Sequence, residues 1–162
     1  AWADLSPLVR RGGTAPQVLA QPAGDWGERQ SALFRTARSR GEERTVLIAS
    51  DSPQVTPAVV QEAFAALDDA ELVLGPTHDG GYYLIGMRGR HDLLEGVPMS
   101  TADVLGRILS RAGALGCAVA LLAPTFDVDE VADLGPLAAL AARRDDMPAT
   151  RRALARPLGA AA

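Results

Sequence analysis

The stretch Arg44-Thr-Val-Leu-Ile-Ala-Ser50 constrains the fold more than any other part of the chain. Its β-branched and aliphatic residues run on without polar alternation, the pattern of a strand covered on both faces. Further strands are expected over 17–20 (Gln-Val-Leu-Ala), 71–76, 82–88 and 118–122, and helices over 28–40, 56–67, 102–115 and 130–143. Thr56 and Pro57 supply the cap and first turn of the second helix. Strands alternating with helices predict an α/β fold with helices on both faces of the sheet. In such a fold the ligand lies beyond the C-terminal strand ends.

The chain has 162 residues, 48% hydrophobic and 22% charged. That is enough for one domain with a sizeable core, expected over 1–144, followed by a C-terminal tail over 145–162 that forms a loose helix or frays. A net charge of −4 provides no basic footprint, so nucleic acid is not an expected partner. All 16 cationic side chains are arginine. The lack of lysine excludes both a P-loop lysine and a Schiff base. Cys117 stands alone in an apolar run, so no internal disulfide can form and a reducing compartment is expected. No apolar run reaches the roughly 20 residues that span a bilayer, and the start lacks the order of a signal peptide. A soluble, cytoplasmic protein without a membrane partner is the expectation.

Asp51 stands where the most apolar strand leaves the sheet. It is open to two readings, a turn-former before Pro53 or a ligand for a hard divalent cation. Asp127 and Asp129, two residues apart, project to one side of an extended segment and suit a cation. One of the two is also placed to cap the helix that follows. Thr77-His-Asp-Gly-Gly81 reads as a hairpin loop, and its consecutive glycines let a ligand approach the backbone. Gln21-Pro-Ala-Gly-Asp-Trp-Gly-Glu-Arg29 precedes a helix whose amides could meet an anionic group, with Asp25 as an alternative N-cap. His78 and His91 read as a polar loop residue and a residue near a helix start.

Taken together, QPAGDWGER, VLIASDSP, LGPTHDGGYYLIGM, GVPMSTADVL and DVDEVADL resemble a bacterial family of GT-A-type glycosyltransferase-like proteins. That family is related to the molybdenum cofactor and phospholactate guanylyltransferases. The resemblance covers roughly residues 17–140. It implies a nucleotide-diphospho-sugar transferase fold, a three-layer sandwich around a mostly parallel mixed sheet. It also implies that Asp51, Asp127 and Asp129 hold Mg²⁺ or Mn²⁺, and that Asp79, Gly80 and Gly81 lie near the transferred group or the acceptor. Gly24, Asp25, Arg29, Ser100 and Thr101 are implied as nucleotide-side contacts. Ser52 departs from the cysteine common in the family, and Met99 from an aromatic. The family's first strand and its basic phosphate loop have no counterpart here, so a fragment with the first strand missing is expected, prone to self-association through exposed sheet edges.

The resemblance implies a metal-dependent transferase acting on a nucleotide-activated donor and an acceptor that the sequence does not name. A nucleotidyltransferase releasing pyrophosphate is one alternative, and a non-catalytic domain of the same fold is the other.

Overall fold

The computed structural model describes residues 19–49 and 51–156. Its elements run α1 (Trp26–Ser39), β1 (Arg44–Ile48), α2 (Pro57–Ala66), β2 (Leu72–Pro76), β3 (Tyr82–Arg88) and α3 (Val104–Ala114). They continue with β4 (Val119–Leu121), a 3-10 turn (Val131–Asp133), α4 (Leu134–Arg143) and α5 (Pro148–Leu154). Of the strand expected at 17–20, residues 17 and 18 lie outside the described residues, while Leu19 and Ala20 have no regular structure.

The four strands form one mixed sheet in the order β1-β3-β2-β4. β3 runs antiparallel to both of its neighbours, and only β2 and β4 pair in parallel. Three strands thus point the same way, yet most of the pairing is antiparallel, which corrects the expected mostly parallel sheet. The cause is the tight Asp-Gly-Gly connection, which returns β3 directly beside β2 and inserts it between strands of the opposite sense.

Side-chain alternation along the strands sends two sets of apolar residues to opposite faces. Leu72, Leu74, Ile85 and Met87 pack with Phe34 of α1 and with Val104, Ile108 and Ala112 of α3. The last three repeat every four residues, the stripe by which an amphipathic helix seats on a sheet. On the other face Val73, Tyr83 and Leu84 pack with Ala63 and Leu67. Fully burying a leucine or isoleucine contributes about 1.5–3 kcal/mol, so these contacts supply most of the drive for the layers to associate.

A bulge interrupts the alternation where Gly75 faces Leu84 and Pro76 faces Tyr82. The extra residue lets the consecutive Tyr83 and Leu84 join the same core while Tyr82 turns to the opposite face. Gly75 accommodates this, since a Cβ there would sit 2.3 Å from the Tyr83 ring.

β1 is half-buried and not fully covered. Leu47 and Val46 pack on opposite cores, yet Ile48 is 47% exposed and, among the described residues, β1 pairs with β3 alone. An unbroken apolar run reports covered faces. It carries no information on whether both hydrogen-bonding edges are paired, because those edges are backbone.

Past the sheet, Leu137, Ala141 and Met147 make a third small core with Phe126 and Val128. The segment expected as a tail contains a packed helix: Arg151 Nη1 donates to the Ala141 carbonyl at 3.1 Å and to that of Arg144. Among the described residues no helix is long and apolar enough to cross a membrane.

Candidate functional site

A cleft of about 980 Å³ opens at one end of the sheet, in the size range of small-molecule sites. Its wall contains Asp51, Asp79, Asp127 and Asp129, four carboxylates drawn from three separate loops. The rest is largely apolar, from Leu33, Leu47, Ile48 and Trp26 among others.

Cross-bonding of the loops brings the carboxylates together. The Gln54 carboxamide donates to the Phe126 carbonyl, joining the loop after β1 to the segment that carries Asp127. Arg144 Nη1 donates to the Gln54 carbonyl at 2.7 Å from the other side. The β2–β3 loop is fastened to the same segment, with His78 N–H donating to the Thr125 carbonyl at 3.0 Å and Thr125 N–H to that of Pro76 at 3.0 Å. Gln54→Ala is therefore expected to cost about 1–3 kcal/mol, the penalty for a part-buried carbonyl that loses its partner. Hydrogen exchange checks it: amides of 51–56 and 126–129 should gain exchange together, while those of the β2–β3 ladder should not.

The carboxylates differ electrostatically. Asp79 is held below the ordinary carboxylate range, first by the Thr77 hydroxyl and then by the Gly81 N–H, both of which donate to it. Asp127 is pushed upward, first by burial and further by the charges of Asp79, Asp129 and Asp133. Burial and neighbouring charge thus act together on Asp127, while Asp79 is relieved by its own hydrogen bonds. Among the described residues no three His, Cys, Asp or Glu side chains converge tightly enough to cage a metal ion. Mg²⁺ is held in a manner that needs no such cage, since it keeps waters and takes one or two carboxylates together with substrate phosphates. The donor set fits that mode.

The capping role expected of Asp127 or Asp129 falls to a capping box between Glu130 and Asp133 at the 3-10 turn, in which Asp133 Oδ2 accepts from the N–H groups of Asp129 and Glu130 at 3.0 and 2.7 Å. Both earlier aspartates are left for the cleft. Gly80 does not line it. With φ of 94°, it lies against the 100–104 segment, where a Cβ would come within 1.9 Å of the Ala102 carbonyl oxygen. Gly81 does line it, as do Arg29, Ser100 and Thr101. Gly24 and Asp25 are used inside their own loop: Gly24 O accepts from Arg29 Nε at 2.9 Å, and Asp25 forms a capping box with Glu28. Neither contributes to the cleft wall.

Trp26, Gln30 and Tyr82 also line the cleft, and the sequence did not single them out as site residues. The Tyr82 hydroxyl donates to Gln30 Oε1 at 2.9 Å across 52 positions of sequence. No local pattern signals a bond of that range. Ser52 Oγ, beside Asp51, is buried with no partner among the described residues.

Residues 4–101 match the family described as "Uncharacterized protein conserved in bacteria (DUF2064)". Among solved structures the chain is similar to a "putative nucleotide-diphospho-sugar transferase" from Desulfovibrio desulfuricans G20. The two share 32% identity and a TM-score of 0.77, over 95% of this chain and 71% of that one. No curated protein matches.

Proposed function

Starting from a chain that belongs to the bacterial DUF2064 family, we propose that it is a transferase acting on a nucleotide-activated donor, a nucleoside diphosphate linked to a sugar or similar group. The observation that carries this reading is the convergence of Asp51, Asp79, Asp127 and Asp129 on one cleft large enough for such a donor. The similarity to the Desulfovibrio protein supports it. Asp51 with Asp127 or Asp129 would hold Mg²⁺ or Mn²⁺, which would supply charge stabilisation for the departing nucleoside diphosphate. Asp79 and Gly81, which line the same cleft, would orient the transferred group or the acceptor, with Asp79 kept ionised first by Thr77 and then by Gly81. Glycosyl transfer of this kind depends mainly on positioning and charge stabilisation, and the protein contributes a preorganised wall and not a nucleophile.

Calorimetry with Mn²⁺ and a nucleoside diphosphate tests the reading. Asp51 is exposed and its side chain carries no core contact, so Asp51→Asn should melt as the parent does. Its affinity should fall about 10- to 100-fold, the loss expected for one charged contact. Equal affinity in variant and parent would exclude Asp51 from cation binding. Product analysis decides the chemistry, because a released nucleoside diphosphate marks glycosyl transfer and pyrophosphate marks nucleotidyl transfer.

A further inference from the structure

Helix α1 presents one side to the cleft, and the residues on that side form a pattern that the carboxylates do not explain. Trp26 and Gln30 are one turn apart and Leu33 follows, so all three share a face, with Arg29 beside them. Gly27 seats this helix: a Cβ there would come within 2.5 Å of the Leu94 carbonyl oxygen, so the helix approaches the chain at Leu94 through its glycine. Trp26 is thereby left outward, an indole 50% exposed on the wall of a deep cleft.

Gln30 is the opposite case. It is only 4% exposed, yet it lines the same cleft. Its Oε1 is committed to the Tyr82 hydroxyl, and Tyr82 is itself steadied by Met99 Sδ at 3.8 Å. The carboxamide nitrogen has no acceptor among the described residues. A largely buried side chain held by its oxygen offers its carboxamide N–H donors in a fixed direction.

We propose that this face of α1 is the base-reading arm of the cleft. Trp26 stacks on the base, and Gln30 donates to a base carbonyl, favouring uracil, thymine and guanine over cytosine and adenine, which carry an amino group at the corresponding position. The proposal rests on the nucleotide reading above and adds to it a class of base. With Oε1 turned to the Tyr82 hydroxyl, the group that Gln30 presents to a ligand is its NH2, which donates. A base amino group set against it puts N–H against N–H, a mismatch that leaves both buried and unpaired. The indole accepts any base by its π-face and so contributes affinity without choice.

The test uses the full chain, Mn²⁺, and calorimetric titration with UDP, GDP, CDP, ADP and pyrophosphate. UDP and GDP should bind about tenfold more tightly than CDP and ADP. Trp26→Ala should weaken all four nucleotides about tenfold and leave pyrophosphate unchanged, with Trp26→Phe retaining most of the affinity. Tyr82→Phe frees the carboxamide to turn and should bring UDP and CDP to similar affinity. Gln30→Met should do the same by removing the donor. Parent protein that binds UDP and CDP equally overturns the proposal, as does Trp26→Ala with undiminished UDP affinity. Pyrophosphate separates this from the broader reading. Mn²⁺-dependent pyrophosphate binding that Asp51→Asn abolishes, without any base preference, refutes the base arm and leaves the transferase reading standing. Absence of Mn²⁺-dependent binding for every ligand refutes both.

Discussion

Gly80→Ala should destabilise the protein by about 2–5 kcal/mol and abolish Mn²⁺-dependent nucleotide binding. Two independent costs combine. The backbone at φ of 94° is one that an L side chain adopts at a penalty of about 1–2 kcal/mol. The new methyl would also lie 1.9 Å from a backbone oxygen, that of Ala102, and overpacking against a well-fixed neighbour costs about 1–3 kcal/mol. Relief requires the 77–81 loop to separate from the start of α3, which breaks the 3.1 Å bond from Leu105 N–H to the Gly80 carbonyl. Asp79 and Gly81 then leave the cleft wall together. Thermal melting and calorimetry check both halves, and a variant with parental melting temperature and parental affinity contradicts the account.

Gly75→Ala should cost about 2–4 kcal/mol by a different route. Here φ is ordinary and the penalty is purely steric: the added Cβ would lie 2.3 to 2.7 Å from three atoms of the Tyr83 ring. That ring is 4% exposed, and its hydroxyl donates to the Ala123 carbonyl at 3.1 Å. Turning the ring aside forfeits core packing and the hydrogen bond, worth about 0.5–1.5 kcal/mol in addition to the overpacking. A double-mutant cycle isolates the contact. Gly75→Ala combined with Tyr83→Leu should be less destabilised than the sum of the single changes by about 0.5–3 kcal/mol. Additive effects would show that the methyl is accommodated elsewhere, without moving Tyr83.

What the sequence made legible follows from how locally each feature is encoded. α2 and β3 were readable because a Thr-Pro start and an apolar run bounded by glycine are signals within a few residues. The hairpin at Asp79-Gly80 was readable for the same reason. The position of β3 between β1 and β2 was not, because strand order is a choice among pairings of distant segments. Gly80 was read as a ligand contact because glycine marks any close approach, and the close approach found is to the Ala102 carbonyl, which the sequence does not distinguish from a ligand. The Glu130–Asp133 capping box was passed over because Asp127 and Asp129 competed for that role, and only the geometry of the 3-10 turn separates them. The carboxylates themselves were found by their place after apolar strands. Gln30 and Trp26 were not, since a helix face becomes a cleft wall only once its neighbours are in place.

The cross-bonded loops around the carboxylates also imply an order of assembly. β2 and β3 are joined by residues 77–81 alone, so their ladder closes a short loop and is the long-range pairing that chain entropy opposes least. β1 and β4 add to opposite sides of that hairpin, and the 124–129 segment can be fastened to Gln54 and to the β2–β3 turn only after both have docked. Asp127 and Asp129 reach the wall in that final step. A nucleotide bound through them cannot guide the early chain towards its fold. It acts as a latch on the completed molecule, slowing its opening without hastening its formation.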